Sequence, residues 1–263
     1  MLINTIEHHF LTVEGLIKVF NNPNKTVPYA MNVGIKNSVG KFIIRLDAHA
    51  EYADDYFSKC VYYLQTTDAD NVGGVIETKS VGNVGEAIAA VVSSKFGVGN
   101  SQFRTNGEDG YVDTVPFGAF RREVFEKYGM YDERLTRNQD NEMNFRIRSN
   151  GGKIFLSNDI KLAYYSRNTI KGILKMAFQN GMWNVITMKL CPGSMGVRHF
   201  VPLAFLLSLI FMPILSAFVP VFWWLFLAEI LLYSALNVVC SLHNQNGTGK
   251  THCFLKLIFF PLF

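Results

Sequence analysis

Charge is scarce in this chain of 263 residues: Asp, Glu, Lys and Arg make up 17%, against roughly 25% in soluble domains. The shortage is uneven. Residues 1–199 carry nearly all of it, and 200–240 carry only Glu229. A uniformly soluble chain is thereby excluded, and the sequence reads as a soluble part followed by a membrane part. Cysteines are few. Cys60, Cys191, Cys240 and Cys253 lie far apart and form no C-x-x-C pair, which argues against a zinc site or a disulfide framework and for free thiols in a reducing compartment. The first ten residues lack the basic flank and apolar run of a signal peptide, and no internal repeat is present. The net charge of +4 comes from scattered basic residues without interleaved aromatics, which argues against nucleic-acid binding. Gly249-Lys250-Thr251 ends like a phosphate-binding P-loop, but the required first glycine would fall at Asn244 and no strand precedes it.

What is present is an alternation of strand-like and helix-like segments. Residues 29–39 suit a short helix ended by Gly40, and 41–46 (KFIIRL) a buried strand. Further strands are expected at 72–76, 111–115 and 153–157, and helices at 84–95, 121–128 and 139–149, with a loop over 96–110. This order predicts an α/β domain with a mainly parallel sheet flanked by helices. Residues 169–190 are amphipathic and suit a helix in the membrane interface; an ordinary surface helix is the alternative. Residues 200–218 and 221–240 are long apolar runs separated by Val219-Pro220. About 20 residues cover the ~30 Å hydrocarbon core, so two spans with a tight turn predict a C-terminal membrane helix hairpin. One kinked or re-entrant element is the alternative. Lys189 and Arg198 before the hairpin and Lys250 and Lys256 after it favour the cytoplasm for the soluble domain. Residues 253–263 could begin a third apolar segment.

Four constellations could carry chemistry. Asp47-Ala48-His49 follows the first strand, where open α/β sheets bind ligands. A carboxylate and an imidazole two residues apart suit Mn²⁺ or Mg²⁺, and such an ion neutralises a diphosphate leaving group; a carboxylate capping a turn is the alternative. Asp140 and Glu142 sit near the start of a helix, where the dipole favours anions and a carboxylate could act as general base. Capping, with Glu142 paired to Arg146, would explain the same residues. Phe117-Gly118 could let a sugar approach, or be a turn among core aromatics. Gln179 and Trp183 could contact a diphosphate or acceptor, or Trp183 could anchor the helix at the interface.

In order, Asn22-Pro23, Ala30–Gly34, Arg45–Ala50, Asn71–Gly74, Phe96–Gly99, Val112–Val115, Phe117-Gly118, Asn138–Glu142 and Tyr165–Arg167 resemble glycosyltransferase family 2, in its succinoglycan-biosynthesis ExoA-like branch. The resemblance covers roughly 20–190. It implies a GT-A fold and an inverting single displacement from a nucleotide-sugar donor to a lipid-linked or polysaccharide acceptor, in exopolysaccharide or capsule synthesis. By that resemblance Asp47 holds the metal-diphosphate, His49 stands where the family more often has a second aspartate, and Asp140 deprotonates the acceptor hydroxyl. Phe117, Gly118, Glu142, Gln179 and Trp183 contact substrate. Arg is absent from the Q-x-x-R-W position of processive members, which favours single additions. The family's opening strand and acidic nucleotide-binding loop have no counterpart before Asn21, so a truncated, non-catalytic remnant or docking subunit of a polysaccharide-synthesis complex is the alternative. The expected organisation is a glycosyltransferase domain over 1–168, an interfacial segment over 169–199, two transmembrane helices over 200–240 and a tail over 241–263.

Overall fold

The stretch from Asn71 to Ile76 is buried on both faces, which makes β3 (Asn71–Lys79) a central strand. The structure, a computed structural model, describes residues 17–105, 107–242 and 250–262. Around β3 the strands β1 (Phe42–Ile44), β2 (Ala50–Tyr52), β4 (Gly110–Tyr111), β5 (Ala119–Arg121) and β6 (Ile154–Tyr165) form a sheet of order β1-β5-β3-β6-β2, with β4 also on β6. The α/β class holds, but the sheet is mixed rather than mainly parallel. Only β3 and β6 run parallel; β1–β5, β3–β5, β2–β6 and β4–β6 are antiparallel. The short strands β2, β4 and β5 return against the main direction; β2 and β5 were not expected, and the strand expected over 111–115 is only the two-residue β4. β6 runs well past the expected 153–157. It bulges where the register jumps between Gly74 and Val75, and a Cβ on Gly74 would sit 1.9 Å from the Ile160 carbonyl oxygen.

Helices cover both faces. One face buries Ile35 of α1 (Val27–Asn37), Phe125 of α5 (Arg122–Tyr128), and Met143 and Ile147 of α6 (Gln139–Ser149) against Phe120 and Leu156. α1 starts with a proline in its first turn, where a missing N–H costs nothing. The other face buries Tyr56, Cys60 and Leu64 of α2 (Tyr56–Thr66) against Val72, Ile160 and Leu162. A third cluster joins α3 (Gly82–Val92), Ile173 of α7 (Ile170–Leu190), and Phe259 at the end of α10 (Lys250–Phe259). The segment read as a loop from 96 contains a short turn of helix, α4 (Lys95–Val98).

The apolar runs form α8 (Val201–Ser216) and α9 (Val221–Leu242), packed on each other through the stacked rings of Phe205 and Tyr233, 4.8 Å apart. Ser208 Oγ also donates to Glu229 Oε1 at 2.5 Å. Among the described residues, only α9 is long and apolar enough to cross a membrane. The 16 residues of α8 reach ~24 Å, short of the ~30 Å core. The expected pair of crossings is therefore not supported among the described residues. α10 does not extend the apolar hairpin: it packs on α3, and Asn237 of α9 donates to its Leu257 carbonyl at 3.1 Å. The four cysteines are free. The expected lack of an opening strand concerns residues 1–20, of which 1–16 lie outside the described residues.

Candidate active site

β1 ends at Ile44 and hands the chain to Arg45, whose backbone N–H donates to the Gly118 carbonyl at 3.2 Å. The Arg45 guanidinium lies over the Phe117 ring, 5.5 Å from its centroid, and gathers two carboxylates. It reaches Asp47 through Nε–Oδ1 at 3.0 Å and Nη2–Oδ2 at 3.2 Å, and Asp140 through Nη1–Oδ1 at 2.5 Å. Asp47, after β1, and Asp140, in the first turn of α6, thus converge on one cation although 93 positions separate them in the sequence. The Tyr52 hydroxyl oxygen accepts the Asp47 backbone N–H at 2.7 Å and fixes the turn.

Burial pushes the Asp140 carboxyl above its usual value, more strongly than the Arg45 charge and hydrogen bond pull it down; the nearby Asp47 charge adds to the rise. Beside it, burial raises the Tyr131 phenol well above its ordinary range.

A cavity of about 710 Å³ opens beside this triad, lined by Arg45, Asp47, His49, Lys25 and Tyr131 among others. Its size falls in the range of ligand pockets. Asp140 is not part of its wall and meets the shared guanidinium from the α6 side. His49 is exposed, with its ring edge-on to Tyr164 at 5.3 Å.

The other expected site residues are placed as follows. Phe117 is buried with φ 48, a strained conformation for a residue bearing a Cβ, and its carbonyl accepts the Tyr56 hydroxyl at 3.1 Å. A Cβ on Gly118 would meet Asn71 Oδ1 at 2.3 Å. This pair therefore shapes the shelf under Arg45, and the space beside Gly118 is filled by Asn71 rather than open to a sugar. Glu142 is buried, and both its oxygens take Arg146 at 2.8 Å. Arg146 also bonds the Tyr128 and Met130 carbonyls. Glu142 thus makes the pairing with Arg146 that was the alternative to a substrate role, and it lies outside the cavity wall. Gln179 Oε1 accepts from Arg137 at 2.7 Å, so it ties α7 to the loop before α6 and is not in the cavity wall. Trp183 is half-buried on the same helix, also outside that wall.

Several residues matter that the sequence reading gave no role. Arg45 was quoted only as a neighbour of Asp47. Asn144 of α6 accepts from Asn71 at 2.7 Å and donates to Thr114 Oγ1 at 2.7 Å and the Val115 carbonyl at 3.2 Å, which pins the 114–118 segment to the helix bearing Asp140. Asn138, at φ 61, sends its side chain to Asn184 and Thr187 of α7 instead of capping α6. The sequence carries no local signal for this network, since Asn71 follows Asp68-Ala69-Asp70 and Asn144 lies in a polar helix; the amides need partners only because the fold buries them.

The described residues contain no group of three or more His, Cys, Asp or Glu side chains that could hold a metal. Asp47 and His49, both in the cavity wall, fit a divalent ion as a partial shell that phosphate oxygens and water would complete. Arg45 uses both Asp47 oxygens, but each retains a second lone pair.

Comparison with known proteins finds two curated relatives. Succinoglycan biosynthesis protein ExoA of Rhizobium meliloti is 26% identical, over 76% of this chain and 61% of that protein. Dolichyl N-acetyl-alpha-D-glucosaminyl phosphate 3-beta-D-2,3-diacetamido-2,3-dideoxy-beta-D-glucuronosyltransferase of Methanococcus voltae is 28% identical, over 74% and 61%. The chain thus spans about three fifths of the length of these curated relatives. Among solved structures, GalNAc-T7 with UDP, GalNAc and Mn²⁺ superposes with a TM-score of 0.47 at 15% identity, over 74% of this chain and 43% of that one. S. aureus TarS 1–349 with UDP-GlcNAc gives 0.43 at 11%, over 71% and 54%. Residues 7–129 match the model described as Glycosyl transferase family 2.

Proposed function

We propose that this chain transfers a sugar, with inversion, from a nucleotide-diphosphate sugar to a lipid-linked or polysaccharide acceptor in the synthesis of a surface polysaccharide. The observation that carries the reading is the convergence of Asp47 and Asp140 on Arg45 at the edge of the large cavity. In this reading the donor occupies the cavity with its diphosphate toward Arg45, Lys25 and Asp47. The acceptor hydroxyl attacks the anomeric carbon from the α6 side. Its oxygen forms the new glycosidic bond, the bond from the anomeric carbon to the diphosphate oxygen breaks, and the hydroxyl proton passes to Asp140. Arg45 holds Oδ1 of Asp140, leaving Oδ2 for that proton. The raised Asp140 pKa makes it a stronger base than a free aspartate. A Mn²⁺ or Mg²⁺ ion bound at Asp47 and His49 would offset charge on the departing diphosphate.

The same reading places the protein on a membrane with its catalytic domain in the cytoplasm. α9, with 22 residues, is ~33 Å long, and its side chains are almost wholly outside the core. On α7, Ile170, Leu174, Phe178, Met182 and Val185 form one exposed apolar stripe, as an interfacial helix requires.

The test is transfer by the full chain in detergent, assayed against a panel of nucleotide sugars with and without Mn²⁺, beside calorimetric donor binding. Asp140→Asn is expected to abolish transfer and keep donor binding; Asp47→Ala is expected to weaken binding itself. Normal transfer by both variants refutes the assignment, and a chain that binds no nucleotide sugar at all is a docking subunit instead.

A further inference from the structure

A second hollow, of about 280 Å³, lies where the loop after α7 turns into α8, against the side of α6. It is small for a nucleotide sugar. Its wall carries two cations, Arg148 from α6 and Arg198 from the 3-10 turn Val197–His199, with His199 beside them held toward its neutral form by burial. The one acid in the wall is Asp113, and it is already committed to Arg198 at 2.9 Å. The Arg148 side chain forms no ion pair or hydrogen bond among the described residues. An arginine with five donors and no acceptor of its own, facing a hollow, asks for an anion, and its fork matches phosphate oxygens.

The position of the hollow says which anion. α8 begins at Val201, two residues beyond His199, and its side chains, such as Leu203, Leu206 and Ile210, are exposed and apolar. α7, which bears the exposed apolar stripe, ends at Leu190, shortly before Gly193 of the wall. The hollow therefore lies between the helix that bears the exposed apolar stripe and the exposed apolar surface of α8, as a site for a lipid headgroup phosphate requires. Asn141, the neighbour of Asp140, also lines it, so whatever sits there is held beside the helix that bears the proposed base.

We propose that this hollow binds the phosphate group of a membrane lipid whose chains lie along α8. The inference rests on the membrane placement proposed above, and it deepens that reading by assigning a position to the phosphate of a lipid-borne acceptor. Arg148 supplies the free charge, Arg198 a second fork already oriented by Asp113, and His199 the ceiling next to the apolar helix.

The full chain can be tested by flotation with phosphatidylcholine vesicles, with and without phosphatidic acid. Wild type is expected to bind both and to bind the phosphatidic acid vesicles more tightly. Arg148→Ala removes one charged hydrogen-bonding partner, and roughly a tenfold or larger loss of that increment is expected. Arg148 is exposed, so folding is not at risk. Arg134→Ala, which removes an exposed cation paired with Asp132, is the control for diffuse charge and is expected to keep the increment. Inorganic phosphate in solution is expected not to displace it. An unchanged increment in Arg148→Ala, an equal loss in Arg134→Ala, or displacement by inorganic phosphate each overturns the site as one for lipid phosphate. No flotation with neutral vesicles overturns the membrane placement, and the inference with it.

Discussion

Replacing Arg45 by methionine isolates the interaction on which the site is built. The side chain is 10% exposed and its partners Asp47 and Asp140 are 21% and 29% exposed, so solvent screens the triad only in part. Three charge-assisted hydrogen bonds are lost at once. Each is worth about 1.5–3 kcal/mol in isolation, but they share one guanidinium and do not add. Removing the central cation of a buried pair costs about 3–5 kcal/mol, and partial exposure brings the expectation to about 3 kcal/mol, or roughly 6–12 °C in thermal midpoint. Two carboxylates would then face each other without a counter-charge. Because Arg45 is what restrains the rise of the Asp140 pKa, that pKa climbs further, and the acid limb of the pH–rate profile moves to higher pH. In an Asp140→Asn background the same replacement costs less, because one bond is already gone; a double-mutant cycle reads a coupling of about 1–2 kcal/mol. A midpoint within about 1 °C of wild type, with an unmoved acid limb, refutes the view that Arg45 organises both carboxylates.

Asp140→Asn is expected to hold or raise the thermal midpoint at pH 7 while transfer disappears. Its folded pKa lies above the unfolded value, so the native state binds the proton more tightly. The stability this contributes is present below the unfolded pKa and is lost as pH rises through the folded one; a large drop in midpoint contradicts this sign. Gly118→Ala drives a Cβ into Asn71 and is expected to cost roughly 1–3 kcal/mol, with weaker donor binding by calorimetry as Arg45 loses its backbone anchor. Glu142→Gln is expected to cost about 1–2 kcal/mol through Arg146 and to leave KM for the donor unchanged, which separates a structural carboxylate from a substrate-binding one. The Cys60 thiol is pushed up to about 12 by burial; iodoacetamide at pH 8 is expected to leave it unmodified until the chain unfolds, as mass spectrometry of the labelled protein can show.

The parts of the fold that declared themselves in sequence were those with one strong local signal. α6 has the expected limits of 139–149 because Asn138 and the Gly151-Gly152 pair punctuate it, and α9 is a long apolar run. α2 passed unread although Tyr56, Cys60 and Leu64 repeat at intervals of four on its buried face; its polar and aromatic outer face hid the period. The direction of the strands was invisible, since β2, β4 and β5 are two or three residues long and owe their place to partners elsewhere. Asp47 and Asp140 could be picked out as carboxylates at a strand end and a helix start, but a shared arginine is a tertiary fact. Glu142 shows the converse: one residue type two positions from Asp140, on a different side of the same helix, is consumed by Arg146.

Charge arithmetic at the site links the fold to the proposed chemistry. Arg45 and Lys25 bring two positive charges to the large cavity and its edge, and Asp47 and Asp140 bring two negative ones. The site alone is therefore near neutral. A nucleotide diphosphate arriving there carries about two negative charges into a place where carboxylates already occupy the arginine, and at an effective dielectric of about 20 each uncompensated pair at 4 Å costs about 4 kcal/mol. Two remedies are available: the diphosphate takes Arg45 from the carboxylates, or a divalent cation on Asp47 and His49 restores neutrality with the triad intact. The first releases Asp140 from its counter-charge and raises its pKa as donor binds; the second leaves it unchanged. Donor-binding calorimetry in two buffers of different ionisation enthalpy, near the Asp140 pKa, distinguishes them. Proton uptake on binding marks the arginine exchange, and its absence in the presence of Mn²⁺, with affinity lost on chelation, marks the cation. Binding that is tight without metal and without proton uptake is compatible with neither and would place the diphosphate away from Arg45.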